Sequence, residues 1–341
     1  MDESSLLSPD ALKALFPITE KGTRFIAESQ QAVRNIVSGK DRRKAIVVGP
    51  CSIHDRGAAL EYAERFKGLA KSVKETCFLV MRVYLEKPRT TTGWKGLIYD
   101  PHLDGSHAIQ TGLMWARELL MMLSDMNVPT ATEFVDPLIA PYVEDLITWG
   151  FIGARTSASQ PHRQLASSLT MPIGFKNGTD GNVGDAVNGV LSARTPHGFM
   201  KINGSGRLCA VQTEGNPFSH VVLRGSETIP NYDACSIEQA LNQLKAERLP
   251  PRLMVDCAHG NSQKQWENQR GVFEAVLEQM MKGNEKIFGW MLESHLERGN
   301  QVLREDPSLL QYAVSITDPC IDWSMTEELI YSADVSISSS C

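Results

Sequence analysis

The stretch AIVVGPC (45–51) places four apolar residues, three of them β-branched, directly before a Gly-Pro stop and a cysteine. It is too short for a helix and has the composition of a strand buried on both faces. The same pattern of a short apolar run ending in a polar or reactive residue recurs at 78–84, 130–134, 151–154, 173–176, 199–202, 253–257 and 290–293. Helix-length amphipathic stretches separate these runs. Eight strands alternating with helices over about 250 residues predict an α/β fold, a (β/α)₈ TIM barrel, where an open doubly wound sheet would show fewer strands.

Outward from this repeat, residues 6–40 carry helical spacing in Leu12, Leu15, Phe16, Phe25, Ile26, Ala32, Val33 and Ile36, with Gly39 as the stop. Residues 1–43 are therefore read as an N-terminal helical extension of a single barrel domain spanning 1–341. The runs 208–212 and 220–223, around turn-prone Gly215, Asn216 and Pro217, predict a β-ribbon at 203–224, inserted between strands six and seven. Asn203-Gly204-Ser205-Gly206 is read as a hairpin turn, since it completes no phosphate-binding motif; Asn177 to Asn182, directly after Lys176, is read as shaping the mouth of the site.

The chain has 341 residues, 42% hydrophobic and 22% charged, which excludes a coiled coil, a collagen and a wholly disordered protein. Its 34 Lys plus Arg stand against 40 Asp plus Glu, a net charge of −6, so neither nucleic acid nor a membrane surface is expected as a partner. The acidic start MDESSLLSPD lacks the features of a secretory signal, and no apolar stretch has the length of a membrane span. Seven scattered cysteines, odd in number and without CxxC pairs, fit reduced thiols and a cytoplasmic location.

At or just past the ends of the runs stand Cys51, Arg82, Glu133, Arg155, Lys176, His259 and Glu293. One polar strand end is ordinary surface chemistry, but in a barrel such ends converge on one mouth, where active sites of this fold are built. Cys51, His259 and Glu293, with Asp318 as a fourth, combine thiolate, imidazole and carboxylate. That mixture suits a divalent transition ion and not calcium, although no short motif links the four and packing roles remain the alternative for Cys and His. Arg82, Lys87, Arg89, Arg155, Lys176 and Arg224 form a second set, cationic in an otherwise acidic chain, and imply a substrate with more than one anionic group. Surface ion pairs with Glu86 or Asp100 are the alternative for any one of them.

The runs GPCSIHD (49–55), RVYLEKPRTTTGWKGLIYDP (82–101), IGARTSASQ (152–160), GFKNGTDGN (174–182), VVLRG (221–225), DCAHGNSQKQ (256–265), ESHLERGNQ (293–301) and SITDPC (315–320) closely resemble the type I 3-deoxy-D-arabino-heptulosonate-7-phosphate (DAHP) synthases. The resemblance covers nearly the whole chain. It implies a transferase of aromatic amino-acid biosynthesis that condenses phosphoenolpyruvate with erythrose 4-phosphate at the start of the shikimate pathway. A related synthase that uses another aldose phosphate is the alternative, against which the run Lys87-Pro88-Arg89-Thr90 argues.

The same resemblance implies metal ligation by Cys51, His259, Glu293 and Asp318, with manganese as the ion and iron, cobalt or zinc as alternatives. It implies phosphoenolpyruvate contacts at Arg82, Lys87, Glu133, Ala154, Arg155, Lys176 and Arg224, and erythrose 4-phosphate at Arg89 and Thr90. His259 and Asp318 then count as catalytic through the ion, Lys87 as the group that protonates or polarises the developing alkoxide, and Glu133 as the group that positions water. A homodimer or homotetramer is expected. Feedback-controlled relatives carry an N-terminal arm and a Pro-Gln pair in the segment after the third strand. Here the arm is nearly absent and that segment reads Asp136-Pro137-Leu138-Ile139-Ala140-Pro141, so weak or absent inhibition by phenylalanine, tyrosine or tryptophan is expected.

Overall fold

Seven of the eight expected runs lie side by side in one parallel sheet in the computed structural model, which describes residues 5–339. Met1 to Ser4, Ser340 and Cys341 lie outside the described residues, among them the seventh cysteine and the first residues assigned to the extension. In chain order the strands are β1 (Lys44–Gly49), β2 (Cys77–Arg82), β3 (Thr130–Glu133), β4 (Trp149–Ile152), β5 (Ile173–Lys176), β6 (Gly198–Ile202), β7 (Leu208–Gln212), β8 (His220–Leu223), β9 (Leu253–Asp256) and β10 (Ile287–Glu293). Eight of them close in the order β1-β10-β9-β8-β5-β4-β3-β2.

The run 199–202 is the exception, and it corrects the expected position of the ribbon. It belongs to β6, which pairs antiparallel with β7 in a separate two-stranded sheet, while His220–Leu223 takes the sixth place in the barrel between β5 and β9. The inserted ribbon therefore spans 198–212 and lies between the fifth and sixth barrel strands, not at 203–224 between the sixth and seventh. Burial explains the difference. All four residues of β8 are buried, as a parallel strand covered on both faces requires, whereas β6 alternates toward solvent, with Met200 73% exposed. Asn203 to Gly206 form the ribbon's turn, with the Gly206 amide donating to the Asn203 carbonyl at 2.9 Å and Gly206 at φ 78°. Asn216, expected at the tip of a hairpin, is instead buried. Its amide donates to the carbonyls of Ala166, Leu169 and Met171 at 3.3, 3.0 and 2.8 Å, which anchors the chain as it enters β8.

Two helices precede the barrel, α1 (Pro9–Leu15) and α2 (Glu20–Ser38), interrupted where Pro17 follows Phe16. Thr19 caps α2 by accepting from the Gly22 amide at 3.0 Å, and Gly39 ends it in the left-handed conformation at φ 79°. Val33, Ile36 and Val37 of α2 form one buried cluster with Ala45, Trp149 and Phe288, residues at the beginnings of β1, β4 and β10. Each such side chain contributes about 1.5–3 kcal/mol when fully buried, so α2 seals the N-terminal end of the barrel and leaves the other end as the accessible mouth. Around the barrel, one helix follows each strand: α3 (Arg56–Ser72), α4 (Ile109–Asp125), the single turn α5 (Ala140–Val143), α6 (Gln160–Ser168), α7 (Val183–Ala193), α8 (Ala234–Ala246), α9 (Asn268–Met281) and α10 (Trp323–Ser338). No helix among the described residues is long and apolar enough to cross a membrane.

His220 opens β8 inside the sealed end, where its Nε2 accepts from Trp149 Nε1 at 3.0 Å and it packs among Trp149, Phe151 and Phe288. Burial pushes its pKa down from 6.5 to about 3. A depressed pKa means that the folded chain refuses a proton the unfolded chain accepts. Stability is thus intact above the unfolded value and is lost as pH falls from about 6.5 toward about 3. At pH 5 the loss from this one group amounts to about 2 kcal/mol. The acid limb of a stability profile should flatten by about that amount in His220→Gln, and an unchanged limb would show that the histidine titrates normally.

Candidate active site

The charged residues expected in the site stand at or beyond the C-terminal ends of barrel strands, as the parallel register dictates, with Asp318 reached only by the long segment after β10. Arg82, Glu133, Lys176 and Glu293 end β2, β3, β5 and β10, and all four are buried. Cys51 follows β1, Ala154 and Arg155 follow β4, Arg224 follows β8, His259 follows β9, and Asp318 lies between β10 and α10. A cavity of about 240 Å³ joins Arg82, Lys87, Arg89, Thr90, Glu133, Ala154, Arg155, Lys176, Arg224, His259 and Asp318. Cys51 and Glu293 are 0% and 1% exposed and reach the same place from below, through contacts to Asp318 and His259.

One ligand atom each from Cys51, Glu293 and Asp318 lies within 4.8 Å of the others. Cys51 Sγ is 3.6 Å from Asp318 Oδ2, and His259, outside that group of three, adjoins it through Nε2, 3.5 Å from Glu293 Oε1. A thiol, an imidazole and two carboxylates around one gap suit a borderline divalent ion. A cation is already drawn to this place: Lys87 Nζ lies 2.7 Å from Asp318 Oδ2 and 2.9 Å from Cys51 Sγ. Burial and the nearby Glu293 carboxylate push the Cys51 thiol up to about 12. The Lys87 ammonium, conversely, holds the Asp318 carboxyl far below the ordinary carboxylate range.

The second layer was not foreseen from the sequence. Asp256, the last residue of β9 and fully buried, lies 3.0 Å from His259 Nδ1 and 2.9 Å from Lys176 Nζ. Its complete burial opposes ionisation, yet His259 and Lys176 hold it well below the usual carboxylate range. It stands on the Nδ1 side of the ring while Nε2 faces Glu293, the layout in which an outer carboxylate can orient a metal-binding histidine. His259 itself is in the left-handed region at φ 56°, a conformation unusual for a residue with a side chain. Lys264 closes that turn by donating from its amide to the His259 carbonyl at 2.8 Å, and its side chain joins the cavity wall with those of Tyr84 and Thr179. Arg82 pairs with Glu293 at 3.1 Å and lies 3.9 Å from the Tyr84 ring centre. Arg155 donates twice to Thr90 Oγ1, at 3.1 and 2.9 Å, which joins residues assigned to different substrates.

A (β/α)₈ barrel with a cluster of residues that could hold a metal and six convergent cations at its mouth has the site of an enzyme for small multiply anionic substrates. The DAHP synthetase I family matches residues 17–330. The chain is 49% identical over 329 residues to the Tyr-sensitive phospho-2-dehydro-3-deoxyheptonate aldolase of Escherichia coli K12, covering 96% of this chain and 92% of that one. It is 45% identical over 327 residues to the Trp-sensitive aldolase of Enterobacter agglomerans, covering 96% and 93%. Its fold matches the phospho-2-dehydro-3-deoxyheptonate aldolase of Francisella tularensis SCHU S4 with a TM-score of 0.97 at 42% identity, over 100% of this chain and 99% of that one. The chain belongs to the DAHP synthetase I family.

Proposed function

We propose a division of labour among these residues for the reaction that family membership assigns to the chain. That reaction condenses phosphoenolpyruvate with erythrose 4-phosphate and water, giving DAHP and inorganic phosphate as the first step of the shikimate pathway. The observation that carries the reading is the metal-capable cluster of Cys51, Glu293 and Asp318 lying against the cavity that the cationic set lines. Arg82, Arg155, Lys176 and Arg224 bind the phosphate and carboxylate of phosphoenolpyruvate, while Arg89 and Thr90 hold the phosphate of the aldose. Cations on both sides offset the repulsion between two anionic reactants.

A divalent ion held by Cys51, His259, Glu293 and Asp318, manganese in this reading, would supply Lewis-acid polarisation of the aldehyde oxygen. The methylene carbon of phosphoenolpyruvate forms the new bond to the aldehyde carbon, and the aldehyde oxygen takes a proton from the Lys87 ammonium. Positive character left at the second carbon of phosphoenolpyruvate is met by a water that Glu133 holds and deprotonates; the C–O bond to phosphate then breaks. Release of phosphate that requires both substrates and a divalent ion tests the reading, and release from phosphoenolpyruvate alone would refute it.

Gly153 tests the role of Glu133. A Cβ at Gly153 would overlap Glu133 Oε1, so Gly153→Ala must push the carboxylate aside. Expected is a fall in kcat of about 10²-fold with an intact fold, checked by steady-state kinetics and circular dichroism.

Regulation is proposed from the segment after β3. Leu138, Ala140 and Pro141 line a cavity of about 540 Å³ together with Phe199 and Met200 of the ribbon. Ala140 and Pro141 offer no side-chain hydrogen bond to a bound amino acid, and an effector inhibits only through differential affinity for two states. Initial rates should therefore respond weakly or not at all to phenylalanine, tyrosine or tryptophan, and half-inhibition by micromolar amounts of any of them would overturn this. The outward face of the ribbon, with Met200 and Leu208 73% and 69% exposed, supports a homodimer or homotetramer, which light scattering distinguishes. The reduced Cys51 thiol that ligation requires supports a cytoplasmic setting.

A further inference from the structure

Glu86 is a buried carboxyl that the mechanism above does not use. It stands between β2 and Lys87 and is 2% exposed. Its two oxygens accept from the backbone amides of Val135 and Asp136 at 3.2 and 3.1 Å, residues that closely follow Glu133. The Tyr99 hydroxyl lies 3.4 Å from Glu86 Oε1 and 3.1 Å from Asp136 Oδ2, so the far end of the same loop joins the contact. That loop is folded back on Glu86. The Lys87 amide donates to the Lys95 carbonyl at 2.9 Å, and Gly96, at φ 111°, passes so close that a Cβ there would strike the Glu86 backbone. Between these contacts lie Arg89 and Thr90, with Arg89 Nε donating to the Trp94 carbonyl at 2.8 Å.

We propose that Glu86 is a positioning residue that fixes the aldose phosphate half of the site against Glu133. The inference rests on the assignment of Arg89 and Thr90 to erythrose 4-phosphate. One buried side chain here holds together the two segments that carry the aldose-binding loop and the water-positioning Glu133. A shift of this loop moves Lys87 and Arg89 relative to the reacting carbons, while Arg82 is held within the barrel wall at the end of β2, and Lys176 and Arg224 stand at the ends of β5 and β8, so these three are spared. Burial, with the neighbouring Asp136, raises the Glu86 pKa to about 8. Such an environment tolerates the carboxyl only because its amide donors are in place.

Glu86→Gln keeps the shape but turns an amide NH₂ toward one of the two backbone donors. Expected is a rise of about tenfold in KM for erythrose 4-phosphate, with KM for phosphoenolpyruvate and the manganese affinity each within about twofold of the parent. Tyr99→Phe, which removes only the hydroxyl, should raise the same constant by about threefold. A parallel rise in both KM values, or an unchanged aldose KM in the folded Glu86→Gln enzyme, would overturn the inference. Should Glu86→Gln not fold, an unchanged aldose KM in Tyr99→Phe overturns it equally. Arg89→Ala separates this from the underlying assignment: a raised aldose KM there, beside an unaffected Glu86→Gln, sinks the positioning role alone. An unaffected Arg89→Ala sinks the substrate assignment and this inference with it.

Discussion

Exhaustive chelation abolishes DAHP formation, and His259→Ala is not rescued at ordinary metal concentrations. This is the expected result if Cys51, His259, Glu293 and Asp318 share one ion, because removing one of four ligands weakens the site severely and leaves the aldehyde without its electrophilic partner. The protein's own cation does not substitute. Lys87 lies 2.7 Å from Asp318 and 2.9 Å from Cys51, where its ammonium neutralises the ligands but presents no open coordination position. Asp256→Asn provides a graded companion. The imidazole and the other three ligands remain, but the carboxylate beside His259 Nδ1 is lost, so the manganese needed for half-maximal rate should rise about 10–100-fold while saturating metal restores much of the rate. Activity measured against added manganese after chelation decides the matter; full activity of the chelated protein would refute the metal mechanism.

The residues that converge at the mouth are legible in the sequence because a barrel turns order along the chain into convergence in space. An apolar run ends where its strand ends, so Arg82, Glu133, Lys176 and Glu293 declared themselves by position alone. Asp256 did not. It falls inside the run 253–257, where a charged residue reads as a strand interior, and only the three-dimensional pairing with Lys176 gives it a purpose. The spacing of Asp256 to His259, three residues apart, was the available signal. The misplaced ribbon has a different origin. FMKI (199–202) and HVVL (220–223) are equally short and apolar, and composition does not rank them. What separates them is Lys201 within the first run and the Asn-Gly turn directly after it, marks of a half-exposed hairpin that the even spacing of eight runs masks. Glu86 reads in the sequence as a surface ion-pair partner, whereas it is buried on two backbone amides some fifty residues away, a contact that only barrel closure brings about.

The second large effect concerns stability. Arg82 and Glu293 face each other at 3.1 Å with side chains 1% exposed each, and Arg82 Nε also donates to the Pro50 carbonyl at 3.3 Å. Taking both charges out of water is costly, and their attraction compensates only while both are present. Arg82→Met removes the contact proposed for phosphoenolpyruvate and strands the Glu293 carboxylate in the barrel. The metal-free variant should lose about 3–5 kcal/mol of stability, which for a chain of 341 residues lowers the melting temperature by about 4–7 °C. Manganese bound at Glu293 returns positive charge to the same carboxylate, so the ion should raise the melting temperature more in Arg82→Met than in the parent. Arg82→Met/Glu293→Gln, which removes both charges, should recover most of the lost stability without manganese and none of the activity. That combination distinguishes a stranded charge from lost packing. If the double variant melts as low as Arg82→Met in the absence of metal, the cost lies in the missing arginine stem and its contact with Tyr84, and the buried pair contributes little.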